Sequence, residues 1–147
     1  IIEHGHEIAC HSDLHIPLDK HTQLTFKEDL VNNVQSLQDA GASNIVGFRA
    51  PIFSVNQDRT WAYDVLNELG FKYSSSVLPA PNPLYGWPEF GREVKTINNI
   101  VELPMTLSGF KLFNVPIGGG VYFRLMPNFV LAQWFKAKRS RGKDVTG

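Results

Sequence analysis

The chain has 147 residues, of which 43% are hydrophobic and 19% are charged, a balance that is typical of a globular domain and excludes a disordered segment. Its 14 basic residues offset 14 acidic ones, so net charge gives no reason to expect a nucleic acid or an anionic membrane as a partner. No apolar run approaches the roughly 18 residues that a membrane-spanning helix needs.

The N-terminal part of the chain begins with alternating predicted elements. Residues 1–5 are typical of a helix end with its glycine cap, and residues 6–11 alternate polar and apolar side chains like a short buried strand. A helix is predicted next, because Thr25 and Glu28 have the spacing of a capping box, and it ends at Gly41. Its apolar stripe consists of Phe26, Leu30, Val34 and Leu37.

Two further strands and a second helix follow. Residues 45–48 predict a strand, residues 61–69 predict a helix that closes at Gly70, and residues 71–78 predict a third strand. The order strand, helix, strand, helix, strand is typical of parallel strands covered by helices. The sequence therefore predicts an α/β fold.

The pattern changes after the third strand. Four prolines between residues 79 and 93 exclude a central strand and predict a long functional loop. Residues 94–107 and 115–125 predict further strands. A last helix is predicted from Pro127, with apolar positions Phe129, Val130, Trp134 and Phe135. Because there is no internal repeat or low-complexity tract, we predict a single domain over residues 1–147.

All five histidines lie within the first 21 residues. His11 and His15 are four residues apart, which places two imidazoles on one side of a helical turn, or across a tight loop, near a single cation. A chance pair on a polar surface is the alternative that the spacing alone leaves open. The pair follows a predicted strand, where ligand sites of α/β proteins cluster, and this favours a metal site. A metallopeptidase motif is excluded, because Ser12 stands where its glutamate would be.

Arg49 is predicted at the end of the second strand. A guanidinium holds a carboxylate through two parallel hydrogen bonds, so an arginine here could orient a catalytic acid. Pro51 would stiffen the following turn, and Phe53 could form the wall of a pocket. A surface arginine beside a turn proline remains the alternative for this feature by itself.

Together these stretches resemble the polysaccharide deacetylase family (the NodB homology domain, carbohydrate esterase family four), and within it the subgroup linked to exopolysaccharide and exosortase systems. The segments that carry the resemblance are Gly5-His6-Glu7-Ile8-Ala9-Cys10-His11-Ser12 with His15, Gly47-Phe48-Arg49-Ala50-Pro51 with Phe53-Ser54, Gly70-Phe71 with Tyr73-Ser74-Ser75-Ser76, and Gly118-Gly119-Gly120-Val121-Tyr122-Phe123-Arg124. The likeness runs along nearly the whole chain.

The resemblance implies a partial irregular (β/α) barrel, truncated at both ends, and hydrolysis of an N-acetyl or O-acetyl group on a bacterial polysaccharide. It implies that His11 and His15 bind a divalent metal, which we expect to be zinc, and that Arg49 orients the catalytic aspartate. The backbone N–H of Ile52 would stabilise the oxyanion. The residues expected at the substrate are Pro51, Phe53 and Trp87, the last as a surface for a sugar.

Three departures from the family pattern limit what the chain is expected to do alone. The family's base aspartate and acidic metal ligand would lie upstream of Gly5. Its general-acid histidine would lie near the C-terminus, but no histidine follows His21. Relatives often carry an acid where this chain has Ser74. We therefore expect an incomplete catalytic domain with little activity by itself.

Two other functions are compatible with these sequence features. One is a non-catalytic relative that binds a glycan through the aromatic loop residues Tyr85, Trp87 and Phe90. The other is a structural metal-binding domain of unrelated function, for which His11 and His15 lack partners at suitable spacing. No oligomeric state or cellular location is predicted.

Overall fold

The computed structural model describes residues 2–107 and 127–139. Its helices are α1 (Gln23–Asp39), α2 (Trp61–Glu68) and α3 (Asn128–Arg139), and its strands are β1 (Gly47–Phe48), β2 (Tyr73–Ser74), β3 (Lys95–Ile97) and β4 (Ile100–Glu102). This content confirms the predicted α/β class. The strands predicted over residues 115–125 lie outside the described residues.

The four described strands form a partial sheet in the order β1-β2-β4-β3. Strands β1, β2 and β4 are parallel, while β3 pairs with β4 in an antiparallel hairpin. Asn98 and Asn99 join the hairpin with φ values of 48° and 67°, left-handed conformations that asparagine tolerates in a two-residue turn. The predicted parallel pairing is therefore confirmed for β1 and β2, while residues 94–107, predicted as strand without a direction, form the parallel β4 and the antiparallel β3.

The strand predicted over residues 6–11 is wrong except at one residue. Cys10 is buried and forms a parallel bridge with Phe48, donating its N–H to the Gly47 carbonyl at 2.9 Å. Residues 6–9 are exposed or half-buried, since they run along the open edge beside β1 and only Cys10 reaches the core. Strand β2 is also shorter than predicted, and Val77 beyond it forms only an isolated bridge with Ser54.

Helix α1 begins earlier than the predicted capping box implies. Thr22 is its N-cap, and its hydroxyl accepts a hydrogen bond from the Thr25 N–H at 3.2 Å. Thr25 Oγ1 in turn accepts from the Thr22 N–H at 2.9 Å, so Thr25 is the third helical residue of the box and not its cap. A threonine in the place usually held by Glu or Gln hid this box from the sequence pattern. The predicted end is confirmed, because Gly41 follows the helix with φ at 97°.

The main core packs α1 and α2 against the sheet. Edge-to-face contacts place the Phe26 ring 5.6 Å from that of Phe48 and 5.7 Å from that of Trp61, between centroids. The other large side chains of this core that are fully buried are Leu18, Leu30, Tyr63, Leu66 and Ile100. A smaller cluster holds Leu78, Ala80, Met105 and Leu107. No helix within the described ranges is long and apolar enough to cross a membrane.

Helix α3 starts directly after Pro127, as predicted. Phe129, which we grouped with its apolar positions, is exposed, whereas Leu131 is buried. The side chains of Trp134 and Phe135 lie outside the described residues.

Candidate metal centre at the carboxyl edge of the sheet

A row of four buried residues crosses the sheet beneath the candidate site. Cys10 pairs with Phe48, Phe48 with Ser74, and Ser74 with Glu102. The residues that follow them therefore meet at one edge, because parallel strands end there together. These edge residues are His11, Arg49, Ser75 and Leu103. The structure thus brings together His11 and Arg49, which are far apart in the sequence.

Hydrogen bonds join the edge residues to one another. His11 Nδ1 lies 2.7 Å from the Arg49 carbonyl oxygen. Arg49 Nε donates to the Ser75 carbonyl at 3.0 Å, and its Nη2 donates to Ser75 Oγ at 2.9 Å. Ser75 Oγ donates to the Leu103 carbonyl at 2.8 Å. The side chains of His11, Arg49 and Ser75 are therefore each held by the backbone that follows the next strand.

The contact between His11 and the Arg49 carbonyl fixes the tautomer of His11. A carbonyl can only accept, so Nδ1 carries a proton, and in the neutral ring Nε2 is the nitrogen with the lone pair. Histidines that bind metals usually make such a second contact, which orients the ring. The His15 ring lies 5.0 Å from the His11 ring between centroids, edge-on at 76°, and both residues are exposed. The pair is therefore accessible to a cation from solvent.

Helix α1 fixes the loop that joins the two histidines. The buried Asp29 carboxylate accepts hydrogen bonds from the N–H groups of Asp13 at 3.2 Å and Leu14 at 2.9 Å. Asn33 Oδ1 accepts from the His11 N–H at 3.2 Å. Asp29 and Asn33 were not predicted from the sequence. The signal that could have identified them is a pair of polar residues four apart on the predicted helix, on the side that carries the apolar stripe.

The loop itself contains two left-handed residues. Ser12 has a φ of 69° and His15 a φ of 54°. Such conformations of residues other than glycine cost about 1–3 kcal/mol each and persist where the surroundings over-determine them. The two hydrogen bonds to Asp29 supply that constraint, so the loop conformation is imposed by α1.

Arg49 is half-buried and held without an acidic partner in the described ranges. Burial lowers the pKa of its guanidinium, while the charge of Glu102 and then the Tyr73 phenol act in the opposite direction. The ring of Phe53 lies below the guanidinium, with Cζ 5.8 Å from the ring centroid. No carboxylate of the described residues lies within 4.0 Å of it. The aspartate that the resemblance pairs with Arg49 is therefore not among them.

The turn after Arg49 is unusual at its centre. Ile52 and Phe53 both have left-handed backbones, with φ at 47° and 56°. The turn is anchored where the Ala50 N–H donates to Ser76 Oγ at 2.9 Å. Ile52 is 48% exposed, and its N–H has no acceptor among the residues that the structure describes. This amide is therefore not used by a hydrogen bond among the described residues.

The three residues expected at the substrate differ in their surroundings. Pro51 is fully buried, which limits it to shaping the turn. Phe53 is half-buried against the smaller core cluster, as a pocket wall would be. Trp87 is half-buried and packs edge-on against Phe90 at 5.0 Å between centroids. Their contacts with a substrate stay predictions.

The three aromatic residues of the loop differ in their exposure. Phe90 is buried in the main core, so it is wrong to count it among surfaces that could stack on a sugar. The Tyr85 hydroxyl donates to Asp19 Oδ1 at 2.6 Å, which ties the loop to the segment after His15. Trp87 remains the candidate for a sugar contact.

The side chains at this edge supply part of the ligand set that a divalent ion needs. Two imidazoles suit zinc, but the described ranges hold no group of three or more His, Cys, Asp or Glu that could share a metal. Cys10 is not a further ligand candidate, because burial raises the pKa of its thiol to about 11. The two histidines thus form a half-site within the described residues.

Comparisons with known proteins bear on both halves of the chain. The model of the family "Polysaccharide deacetylase" matches residues 1–74, and that of a "Domain of unknown function (DUF3473)" matches residues 75–146. A crystal structure described as that of a "putative polysaccharide deacetylase" from Mycobacterium smegmatis is similar, with 26% identity and a TM-score of 0.58. The match covers 72% of this chain and 34% of that one, so the chain spans about a third of that protein's length. No curated protein matches.

The two family matches meet inside one structural unit. Their boundary follows Ser74 in β2, yet β2 pairs with β1 on one side and with β4 on the other. The first match contains both histidines and Arg49, and it covers half of the 147 residues. On this match and the related crystal structure, the chain belongs to the polysaccharide deacetylase family.

Proposed function

We propose that this chain carries part of the catalytic site of a metal-dependent hydrolase that removes acetyl groups from a polysaccharide by cleaving a non-peptide amide bond. His11 and His15 would hold a divalent ion, zinc in our proposal. Such an ion, when bound, supplies Lewis-acid chemistry: it lowers the pKa of water and polarises a carbonyl. The observation that carries the proposal is the 2.7 Å contact of His11 Nδ1 with the Arg49 carbonyl, which leaves Nε2 as a ligand.

Arg49 would orient the carboxylate that takes the proton from water. Its Nε and one Nη2 hydrogen are engaged by Ser75, which fixes the plane of the guanidinium. The remaining N–H groups can donate to an acid in a set direction. Because the side chain is half-buried, such a pair would be stronger here than on an open surface.

The Ile52 N–H would donate to the oxygen that becomes negative during attack on the acetyl carbonyl. A preorganised donor of this kind typically contributes about 3–4 kcal/mol to the transition state. The exposed, left-handed position of Ile52 and its unused N–H among the described residues support this role. Phe53 would form the pocket wall, and Trp87 would contact the sugar.

The test is acetate release from an N-acetylated oligosaccharide in the presence of zinc, using the product of the complete open reading frame. We expect His11→Ala and His15→Ala each to lower kcat/KM by at least about 100-fold, because each removes a ligand of the ion. His6→Ala is the matched control, since His6 is exposed and lies outside the loop. Activity that survives both ligand substitutions would contradict the proposal.

A non-catalytic glycan-binding relative is the second candidate. The observation that favours it is the half-site, with two donors and no third in the described ranges. Binding of an N-acetylated oligosaccharide without acetate release would support this candidate. For residues 1–147 expressed alone we predict little or no acetate release, and turnover typical of an ordinary enzyme would contradict that prediction.

A further inference from the structure

Glu102 is a fully buried carboxylate that the proposed chemistry does not use. It lies at the end of β4, and its exposed fraction is 0%. Ile100, two residues earlier on the same face of the strand, is also fully buried, so Glu102 occupies a core position. A buried carboxylate is costly unless several donors surround it. Its partners therefore indicate what it does.

The donors around Glu102 come mainly from one short segment. Oε1 accepts hydrogen bonds from the backbone N–H groups of Ser76 at 2.7 Å and Val77 at 2.9 Å. Oε2 accepts from the Tyr63 hydroxyl at 3.2 Å. Ser74, which pairs with Glu102 in the sheet register, places its hydroxyl 2.7 Å from Ser76 Oγ in the same segment. The two N–H groups can only donate, so both require an acceptor at Oε1.

The segment that Glu102 holds is the same segment that holds Arg49. The Ser75 carbonyl and hydroxyl accept both hydrogen bonds from the Arg49 guanidinium. Ser76 Oγ accepts from the Ala50 N–H at the start of the turn that carries Ile52. One buried carboxylate is therefore connected, through residues 75–77, to both the guanidinium and the proposed oxyanion donor.

Glu102 and Arg49 also interact through their charges. The charge of Glu102 opposes the effect of burial on Arg49, although the two groups form no ion pair. The Tyr63 hydroxyl is the titratable group that contacts Glu102 directly. Ser74 on β2 is the residue that pairs with Glu102 in the sheet. By the resemblance, relatives often carry an acid at this position of β2. The buried carboxyl at this point of the sheet comes from β4 instead.

We propose that Glu102 is a positioning residue for the deacetylation. It fixes the Ser75–Val77 segment, and through this segment it sets the orientation of Arg49 and of the Ala50–Phe53 turn. The inference rests on the proposed function, since it assigns Arg49 a part in the reaction. It extends that function to a residue in the half of the chain that matches the domain of unknown function.

A double-mutant cycle in the product of the complete open reading frame tests this role. Glu102→Gln keeps the shape but weakens the acceptor, and we expect kcat to fall about tenfold with KM changed less than about twofold. In an Arg49→Lys background the same substitution should lower kcat by a clearly smaller factor, because the part of its effect transmitted through Arg49 is already lost and only the part transmitted through the Ala50–Phe53 turn remains. Equal losses in both backgrounds would overturn the proposal.

Tyr63→Phe is the matched control, because it removes one donor from Oε2 and leaves the two bonds at Oε1. We expect it to lower the melting temperature while kcat stays within about twofold of the wild type. A Tyr63→Phe variant that loses as much kcat as Glu102→Gln would indicate a general packing effect and overturn the proposal. If Glu102→Gln does not fold, Glu102→Asp, which keeps the charge, enters the same cycle with the same expected dependence on Arg49.

A second readout does not depend on activity. The NMR resonance of the Arg49 Nε–H group reports its hydrogen bond to Ser75 directly. We expect the resonance to shift in Glu102→Gln and to stay in place in Tyr63→Phe, and an unchanged resonance in both would contradict the positioning role. If the wild type releases no acetate, the proposed function fails and this resonance alone decides whether Glu102 positions Arg49.

Discussion

Asp29 and Glu102 are acidic residues, and each is buried where a loop of the candidate site is held in place. Neither was predicted, because what each does depends on backbone N–H groups 15 to 26 residues away in the sequence. The sequence singles out His11, His15 and Arg49 because their spacing and their positions after predicted strands are local signals. Residue patterns therefore indicated the exposed and half-buried groups, whose roles stay predictions, and missed the buried groups that hold their loops.

The Asp29 carboxylate should matter for metal binding although it is no ligand. Asp29→Asn keeps the shape of the side chain but weakens both hydrogen bonds to the histidine loop. We expect the affinity for zinc to fall by about tenfold or more, the usual effect of losing a supporting contact at a metal site. Calorimetric titration with zinc measures this. Asp39→Asn, exposed on the same helix, is the control, and equal affinities in both variants would contradict the prediction.

The buried Glu102 should make stability depend on pH in a defined direction. Burial raises the pKa of its carboxyl above the ordinary 4.5, and hydrogen bonds from Ser74 and from the Ser76 and Val77 amides act against this. A raised folded-state pKa contributes stability that is present below the unfolded value and is lost as pH rises through the folded value. Glu102→Gln does not titrate. The unfolding free energy of the variant should therefore increase relative to the wild type as pH rises above 4.5.

Urea denaturation of both proteins across this range of pH measures the difference. A difference that stays constant, or that decreases as pH rises, would contradict the direction given for Glu102. A relative gain in the unfolding free energy of Glu102→Gln as pH rises would also mean that the ionised Glu102 carboxylate lowers the stability of the protein. Such a cost is common for residues that are kept for function.

At the scale of elements, the helices were predicted better than the strands. The bounds of α2 and the end of α1 agree with the sequence pattern, because glycine caps and an apolar stripe are local signals. Strands β1 and β2 have only two residues each, and their extent depends on partners elsewhere in the chain. The close packing at Gly47 is also not visible in the sequence. A Cβ atom at this position would collide with the Tyr73 phenol, whose hydroxyl donates to Glu7. The strand bounds therefore required the structure.

The cap of α1 offers a test of its corrected start. Thr22→Ala removes the hydroxyl that accepts from the Thr25 N–H, and loss of such a cap typically lowers the unfolding free energy by about 1 kcal/mol. Thr60→Ala is the matched control, because Thr60 is the N-cap of α2 but makes no side-chain capping bond. Thermal denaturation compares the two. If Thr60→Ala is as destabilising as Thr22→Ala, the assignment of the α1 cap is wrong.

For the whole molecule, the order of elements along the chain was enough to predict the α/β class and the edge at which the site lies. Parallel strands end at one side of a sheet, so His11 and Arg49, each predicted to follow a strand, lie at the same edge. The antiparallel β3 was not expected, since nothing in residues 94–107 indicates the direction of a strand. The two family matches join in one sheet, which places Glu102 beside residues of the deacetylase match.

The central claim is that His11 and His15 together bind the ion of a deacetylase site. Its most direct test is the zinc content of the purified product of the complete open reading frame, measured for the wild type, the double variant His11→Ala/His15→Ala and the control His6→Ala. We predict about one zinc per molecule in the wild type and the control, and almost none in the double variant. Stoichiometric zinc in the double variant would contradict the assignment of both ligands.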